Sequence, residues 1–236
     1  MLRFNTPYIG VYEISDQYFC EKQVEISRKT GEPETERTRL GKESHESLLK
    51  DTQPIKTEES WKLIFSGQKI AIMNMLLITR WKDVVIIGRP DFIYFENAKP
   101  LWLLEYKFTK NRVPSDSHHV QARLYSFLVH RMGFDMSNLA YAIVLANTRP
   151  TEYQKWRRSV FKSVSKKKIS KTEKVVLKID NGHAFLRRPD LDKAKRELEW
   201  ALGYWKLERE AIPTKKPTKC IACVHSKICE ASLART

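Results

Sequence analysis

The chain has 236 residues, 42% of them hydrophobic, with 43 Lys and Arg against 28 Asp and Glu, a formal charge of +15 and a pI near 9.6. That length and apolar content give one substantial domain, or two small ones, a real core. No stretch approaches the roughly 18 uninterrupted apolar residues of a membrane span, and the N-terminal MLRFNTPYIGVYEISDQYF lacks a signal-peptide layout, so the chain reads as cytoplasmic with no membrane partner. The surplus of positive charge calls for a polyanion, and nucleic acid is the leading one.

Neither an internal repeat nor a low-complexity linker divides the chain, so residues 1–236 read as a single domain. Residues 27–39, 50–59 and 206–219 carry turn and breaker residues and are expected to be flexible. Segment 38–50 reads as a short helix containing His45. Segments 69–79, 84–96 and 101–108, rich in Ile, Val and Phe, read as strands, the last two joined into a hairpin across Asn97 to Pro100. Segment 115–132 opens on capping residues and places Val120, Leu124, Phe127 and Leu128 at helical spacing. Segment 139–147 is an apolar strand of the buried type. In 155–174, KWRRSVFKSVSKKKISKTEK, basic and aromatic residues alternate as if to contact phosphates and unstacked bases, although a solvated loop has the same composition. Segments 174–179 and 183–188 form a second hairpin, and 189–207 is an amphipathic helix. This order of elements indicates a mixed α/β domain.

Four cysteines, Cys20, Cys220, Cys223 and Cys229, lie at the two ends of the chain and leave no thiol over. Four thiolates fill the coordination sphere of zinc or of an iron-sulfur cube, and a reducing compartment makes disulfides the weaker alternative. Such a site joins residues 10–26 to residues 208–236 as a cysteine subdomain, and its first role is structural.

Between those ends lie Gly88-Arg-Pro-Asp91 on one strand and Glu105-Tyr-Lys107 on the next. Positions 105 and 107 leave a strand on the same face, directing a carboxylate and an ammonium into one place. A symmetric turn closing 96 against 101 opposes Asp91 to Tyr106, so bringing Asp91 to Glu105 requires a register shift or bulge. Asp91, Glu105 and the backbone carbonyl of Tyr106 then make a hard oxygen site for Mg2+ or Mn2+, with Lys107 orienting water or neutralising charge. An ordinary Glu–Lys pair on a solvent face is the competing explanation.

Pro90-Asp91 followed by Glu105-x-Lys107 resembles the core motif of the PD-(D/E)XK nucleases, and Gln121-Ala-Arg-Leu-Tyr125 resembles the Q-x3-Y signature of their RecB-type branch. The resemblance implies a restriction-endonuclease-like core with a mixed central sheet flanked by helices, in which Gln121 and Tyr125 hold DNA or order the site. Gly41-Lys-Glu-Ser-His45 resembles that branch's glycine and histidine motif, which implies His45 as a further metal ligand and a preference shifted toward manganese. His118 and His119 match no motif and read as capping or DNA-facing residues.

One N-terminal and three C-terminal cysteines around such a core resemble the iron-sulfur nucleases, in particular the CRISPR-associated exonucleases, the fourth family of Cas proteins. Glu21 stands where a proline is common after the first cysteine. The resemblance implies a [4Fe-4S] cluster, with zinc the alternative the residues themselves allow. It also implies exonuclease action on single-stranded DNA ends, a role in CRISPR spacer acquisition, and CRISPR integrase proteins as partners. A repair or recombination nuclease of the same fold, or a non-catalytic DNA-binding scaffold subunit, would share much of the pattern.

Overall fold

The computed structural model describes residues 1–49 and 57–235, without the side chains of 36–38, 41, 57 and 235. The chain enters through β1 (Ile9–Gly10) and turns at once into α1 (Val11–Phe19), whose first turn is closed by the Glu13 carboxylate accepting the Gly10 N–H at 2.9 Å. Cys20 has extended backbone, ends α1 and starts α2 (Glu21–Thr30), which stops at Gly31 with φ of +81°. These two helices were not read from the sequence, and α2 runs through the first part of the expected flexible segment 27–39.

Helix α3 (Glu36–Leu49) contains His45 as expected. Of the expected flexible segment 50–59, residues 50–56 lie outside the described residues, and Thr57 onward belongs to α4 (Thr57–Phe65). The expected strand at 69–79 is two strands, β2 (Ile70–Met73) and β3 (Leu77–Trp81), and that at 84–96 is β4 (Val84–Gly88) and β5 (Phe92–Glu96). The reason is Pro90, which has no N–H to give a ladder: the chain leaves one sheet at Gly88 and enters another at Phe92. Then follow β6 (Lys99–Phe108), α5 (Asp116–Arg131), β7 (Ala140–Ala146), α6 (Tyr153–Ser165), β8 (Lys174–Ile179), β9 (Gly182–Arg187), α7 (Leu191–Trp205) and α8 (Pro217–Ile221).

The larger sheet has the order β2-β5-β6-β7-β9-β8, with β6 and β7 parallel and the other neighbours antiparallel, while β1-β4-β3 form a small second sheet. Helices cover both faces of the large sheet. Leu103, Tyr141, Ile143 and Leu145 point into the core shared with α5 and α7; Leu104, Tyr106, Ala142 and Val144 point to the opposite core with Trp156, Val160 and Val164 of α6. Every residue of β7 is buried, as a strand covered on both sides must be. Helix α5 lies between the sheet, α1 and α7, and the buried Arg123 pairs with Glu197 of α7 at 2.5 and 2.8 Å.

Helix α6 corrects the reading of the basic run. Trp156, Val160 and Val164 are buried and Phe161 packs on Phe92 and Tyr94, so the aromatic residues serve the core. Lys155, Arg158, Lys162 and Lys166 to Lys168 remain exposed as a cationic surface. Among the described residues no helix is long and apolar enough to cross a membrane.

Candidate active site

The hairpin of β5 and β6 closes at Glu96 against Lys99 through Asn97 and Ala98, both at positive φ, a tighter turn than the one expected. The register then shifts between Tyr94 and Phe95, so that Phe92 stands opposite Leu104. That shift brings Asp91 to the level of Glu105. Asp91 Oδ2 accepts the Tyr106 N–H at 2.7 Å, which fixes the carboxylate beside β6.

Glu105 and Lys107 share the face of β6 that looks toward α5 and α1, while the Tyr106 ring goes to the other side and meets Trp156 at 5.5 Å. Lys107 Nζ donates to Glu105 Oε1 at 2.8 Å. Glu105 is only 2% exposed, and its Oε2 has no hydrogen-bond partner among the described residues. Burial, followed by the charge of Asp91, pushes its carboxyl up to about 7. Burial disfavours the Lys107 ammonium, but Glu105, Asp91 and Asp16 outweigh it and raise its pKa, so Lys107 stays charged. His45 Nδ1 lies 3.4 Å from Asp91 Oδ1, and this contact raises the imidazole pKa against its partial burial.

Gln121 and Tyr125, one turn apart on α5, bond to each other, Nε2 to the phenol oxygen at 3.0 Å. The backbone N–H of Arg89 faces the same phenol oxygen. The Tyr125 ring lies so close to Gly88 that a Cβ there would meet ring carbons at 2.7 and 2.8 Å. The pair therefore braces the Gly88–Asp91 segment, and Gln121 also reaches the cleft. His118 caps α5 by accepting the Ser115 N–H at 3.4 Å. His119 is not DNA-facing: it is buried against the Tyr141 hydroxyl at 3.1 Å, and burial followed by Arg187 and Arg123 depresses it to about 3.

An open cleft of about 430 Å³ lies over this constellation, with Asp16, His45, Lys107, Ser117 and Gln121 in its wall. Asp16 was missed in the sequence, where nothing in its spacing marks it. It faces Lys107 from α1, half-buried, and desolvation pushes its carboxyl to about 7 while Lys107 pulls the other way. Ala222 and Val224, from the cysteine-bearing loop, form part of the same wall.

The two ends of the chain meet on this side. Arg209 pairs with Glu21 at 2.5 and 2.7 Å, Lys219 donates to the carbonyls of Tyr18 and Phe19, and Thr214 N–H points to Cys20 Sγ at 3.4 Å. All four cysteines are free thiols and line one small cavity of about 20 Å³. Burial raises the Cys223 thiol, and the other three thiols add to the shift, so they lie within electrostatic reach of one another. Among the described residues, no group of three or more His, Cys, Asp or Glu side chains is already set to hold a metal ion, neither the thiols nor the His45, Asp91 and Glu105 set. The donor chemistry nonetheless fits: soft thiols around one cavity, and at the other site a buried carboxylate oxygen without a partner.

The chain matches the family model of the PD-(D/E)XK nuclease superfamily over residues 13–230. Among solved structures, the crystal structure of SSO0001 is 18% identical with a TM-score of 0.50, covering 97% of this chain and 88% of that one. A chain named "Putative exonuclease" from Eubacterium rectale is 12% identical with a TM-score of 0.48, covering 96% of this chain and 91% of that one. No curated protein sequence matches the chain.

Proposed function

The chain belongs to the PD-(D/E)XK nuclease superfamily, whose members hydrolyse phosphodiester bonds with divalent metals such as Mg2+ or Mn2+, and we propose that it is a single-strand DNA exonuclease with its centre at Asp91, Glu105 and Lys107. The observation that carries the reading is Glu105: a buried carboxyl beside Asp91, with one oxygen on Lys107 and the other without a hydrogen-bond partner among the described residues. Such a group takes up a proton near neutral pH unless a further cation joins it, and a bound divalent cation would keep it ionised. Asp91, Glu105, His45 and the Tyr106 carbonyl are the residues that would hold the metal, which when bound polarises the phosphate and acidifies water.

The protein's own groups divide the remaining work. The Tyr106 N–H holds Asp91 in place before any ligand arrives. Lys107, kept charged by three carboxylates, stabilises negative charge growing on the phosphate and is a poor base. Gln121 and Tyr125 act as positioning residues through Gly88 and Arg89. The cationic surface draws the strand toward the cleft.

The four thiols would hold an iron-sulfur cluster that joins residues 10–26 to 208–236, and the cluster loop would form one wall of the cleft. Thiols at this spacing around a nuclease core support a role in trimming DNA for CRISPR spacer acquisition, with integrase proteins as partners. End-labelled single- and double-stranded DNA incubated with Mn2+ tests the activity. Progressive shortening of the single strand from one end supports it; an intact single strand, or cleavage confined to duplex interiors, overturns it.

A further inference from the structure

Beyond Phe108 the structure contains a second cavity, of about 490 Å³, that no sequence motif pointed to. Phe108, Thr109 and Asn111 line both this cavity and the nuclease cleft, so the two are continuous around the end of β6. Ser44 of α3 lies in its wall, next to His45 in the wall of the cleft. We infer that this cavity is a subsite for the sugar-phosphate backbone of a single DNA strand, next to the nucleotide at the catalytic centre, with Lys110 and Arg149 on its phosphates. The inference rests on the nuclease reading and adds to it the path of the substrate.

The position follows from topology. β6 and β7 are the parallel pair of the large sheet, and the cavity opens where both end, between the segments that follow Phe108 and Ala146. Ligands of α/β sheets bind outside the carboxyl ends of such strands because backbone groups and loop side chains converge there. The chemistry of the lining agrees. It has two cations, Lys110 and Arg149, amides at Asn111 and Asn147, and hydroxyls at Thr109 and Thr148, with no carboxylate among the described lining residues.

Arg149 is loosely held: its guanidinium lies 3.4 Å from Glu43 and donates to the Leu40 carbonyl at 3.1 Å, with the side chain 44% exposed. A phosphate can replace the distant carboxylate with a closer, bidentate contact. The space, about 490 Å³, is of the size of a nucleotide or two. Amide and hydroxyl groups without a fixed pattern suit backbone and sugar rather than base edges.

Fluorescence anisotropy of a labelled oligothymidylate, with divalent metal chelated to prevent cleavage, tests the assignment across a series of salt concentrations. Each single-strand phosphate contact contributes about 0.7 to the slope of log K against log salt, or about fivefold in affinity at about 0.1 M salt. The Lys110→Ala, Arg149→Ala double variant therefore loses about 1.4 from the slope and binds about 25-fold more weakly. Arg149→Lys keeps the charge and most of the slope. A mononucleotide, too short to span the catalytic centre and the second cavity, binds the double variant and the wild type equally. An unchanged salt slope in the double variant overturns the subsite, as does an equal loss of affinity for the mononucleotide. A wild-type protein that cleaves no DNA with Mn2+ sinks the nuclease reading instead, and the slope measurement distinguishes the two failures.

Discussion

Gly88→Ala probes how the catalytic segment is held. The new Cβ would lie 2.7 and 2.8 Å from two ring carbons of Tyr125 and 3.2 Å from a methyl of Val11, where ordinary contacts begin at 3.4 Å. The ring cannot swing into solvent, because Tyr125 is 4% exposed and its hydroxyl accepts a hydrogen bond from Gln121. Overpacking of this kind costs about 1–3 kcal/mol, and losing one buried hydrogen bond about 1 more. A total of about 2–4 kcal/mol corresponds to a fall in Tm of roughly 5–15 °C for a chain of this size. Because Asp91 is only three residues further on, a shift of about 1 Å there lowers kcat on the order of 100-fold. Shrinking the ring in a Gly88→Ala, Tyr125→Leu double variant removes the clash, so its stability exceeds the sum of the single effects by about 1 kcal/mol or more. Scanning calorimetry and single-strand turnover measure both quantities. A Gly88→Ala protein with wild-type Tm and wild-type kcat would refute the bracing argument.

Three further outcomes follow from buried groups. His119 is depressed from 6.5 to about 3, so the stability it contributes is complete above pH 6.5 and is lost as pH falls toward 3, at about 1.4 kcal/mol per unit; His119→Gln flattens the acid limb of a urea-midpoint profile between pH 6.5 and 4. Glu197→Gln leaves Arg123 buried without its counter-ion and costs about 3–5 kcal/mol, read from the urea midpoint at neutral pH, whereas a cost under about 1 kcal/mol would show that the pair is solvated. Protein purified without oxygen carries iron and a visible thiolate-to-iron charge-transfer band if the cysteine cavity holds a cluster, and stoichiometric zinc without colour would replace that assignment.

The hairpins, α5 and α7 were legible because local signals decide them: alternating apolar residues, a Ser or Asp cap, turn residues between strands. The division of 84–96 was less so, since both halves are apolar and β-branched, and only Pro90 reveals that the chain changes sheet. The need for a register shift before Asp91 could meet Glu105 was readable from counting alone, and the shift lies at Tyr94 and Phe95. Its position could not be read, because it depends on the tighter Asn97–Ala98 turn. The basic run at 155–174 misled for a definite reason: Trp156, Val160 and Val164 keep helical spacing, and that period marks a core face rather than a base-stacking one. Asp16, Gly88's contact with Tyr125 and the cavity beyond Phe108 arise only when α1, α5 and the strand ends are brought together in space.

The most direct measurement is turnover of single-stranded DNA by wild type, Asp91→Asn and Lys107→Met under saturating Mn2+, with each variant's Tm recorded alongside. The account predicts cleavage by the wild type, loss to background in Asp91→Asn, and a fall of about 100- to 1000-fold in Lys107→Met, all in folded proteins. Undiminished cleavage by folded Asp91→Asn would contradict it.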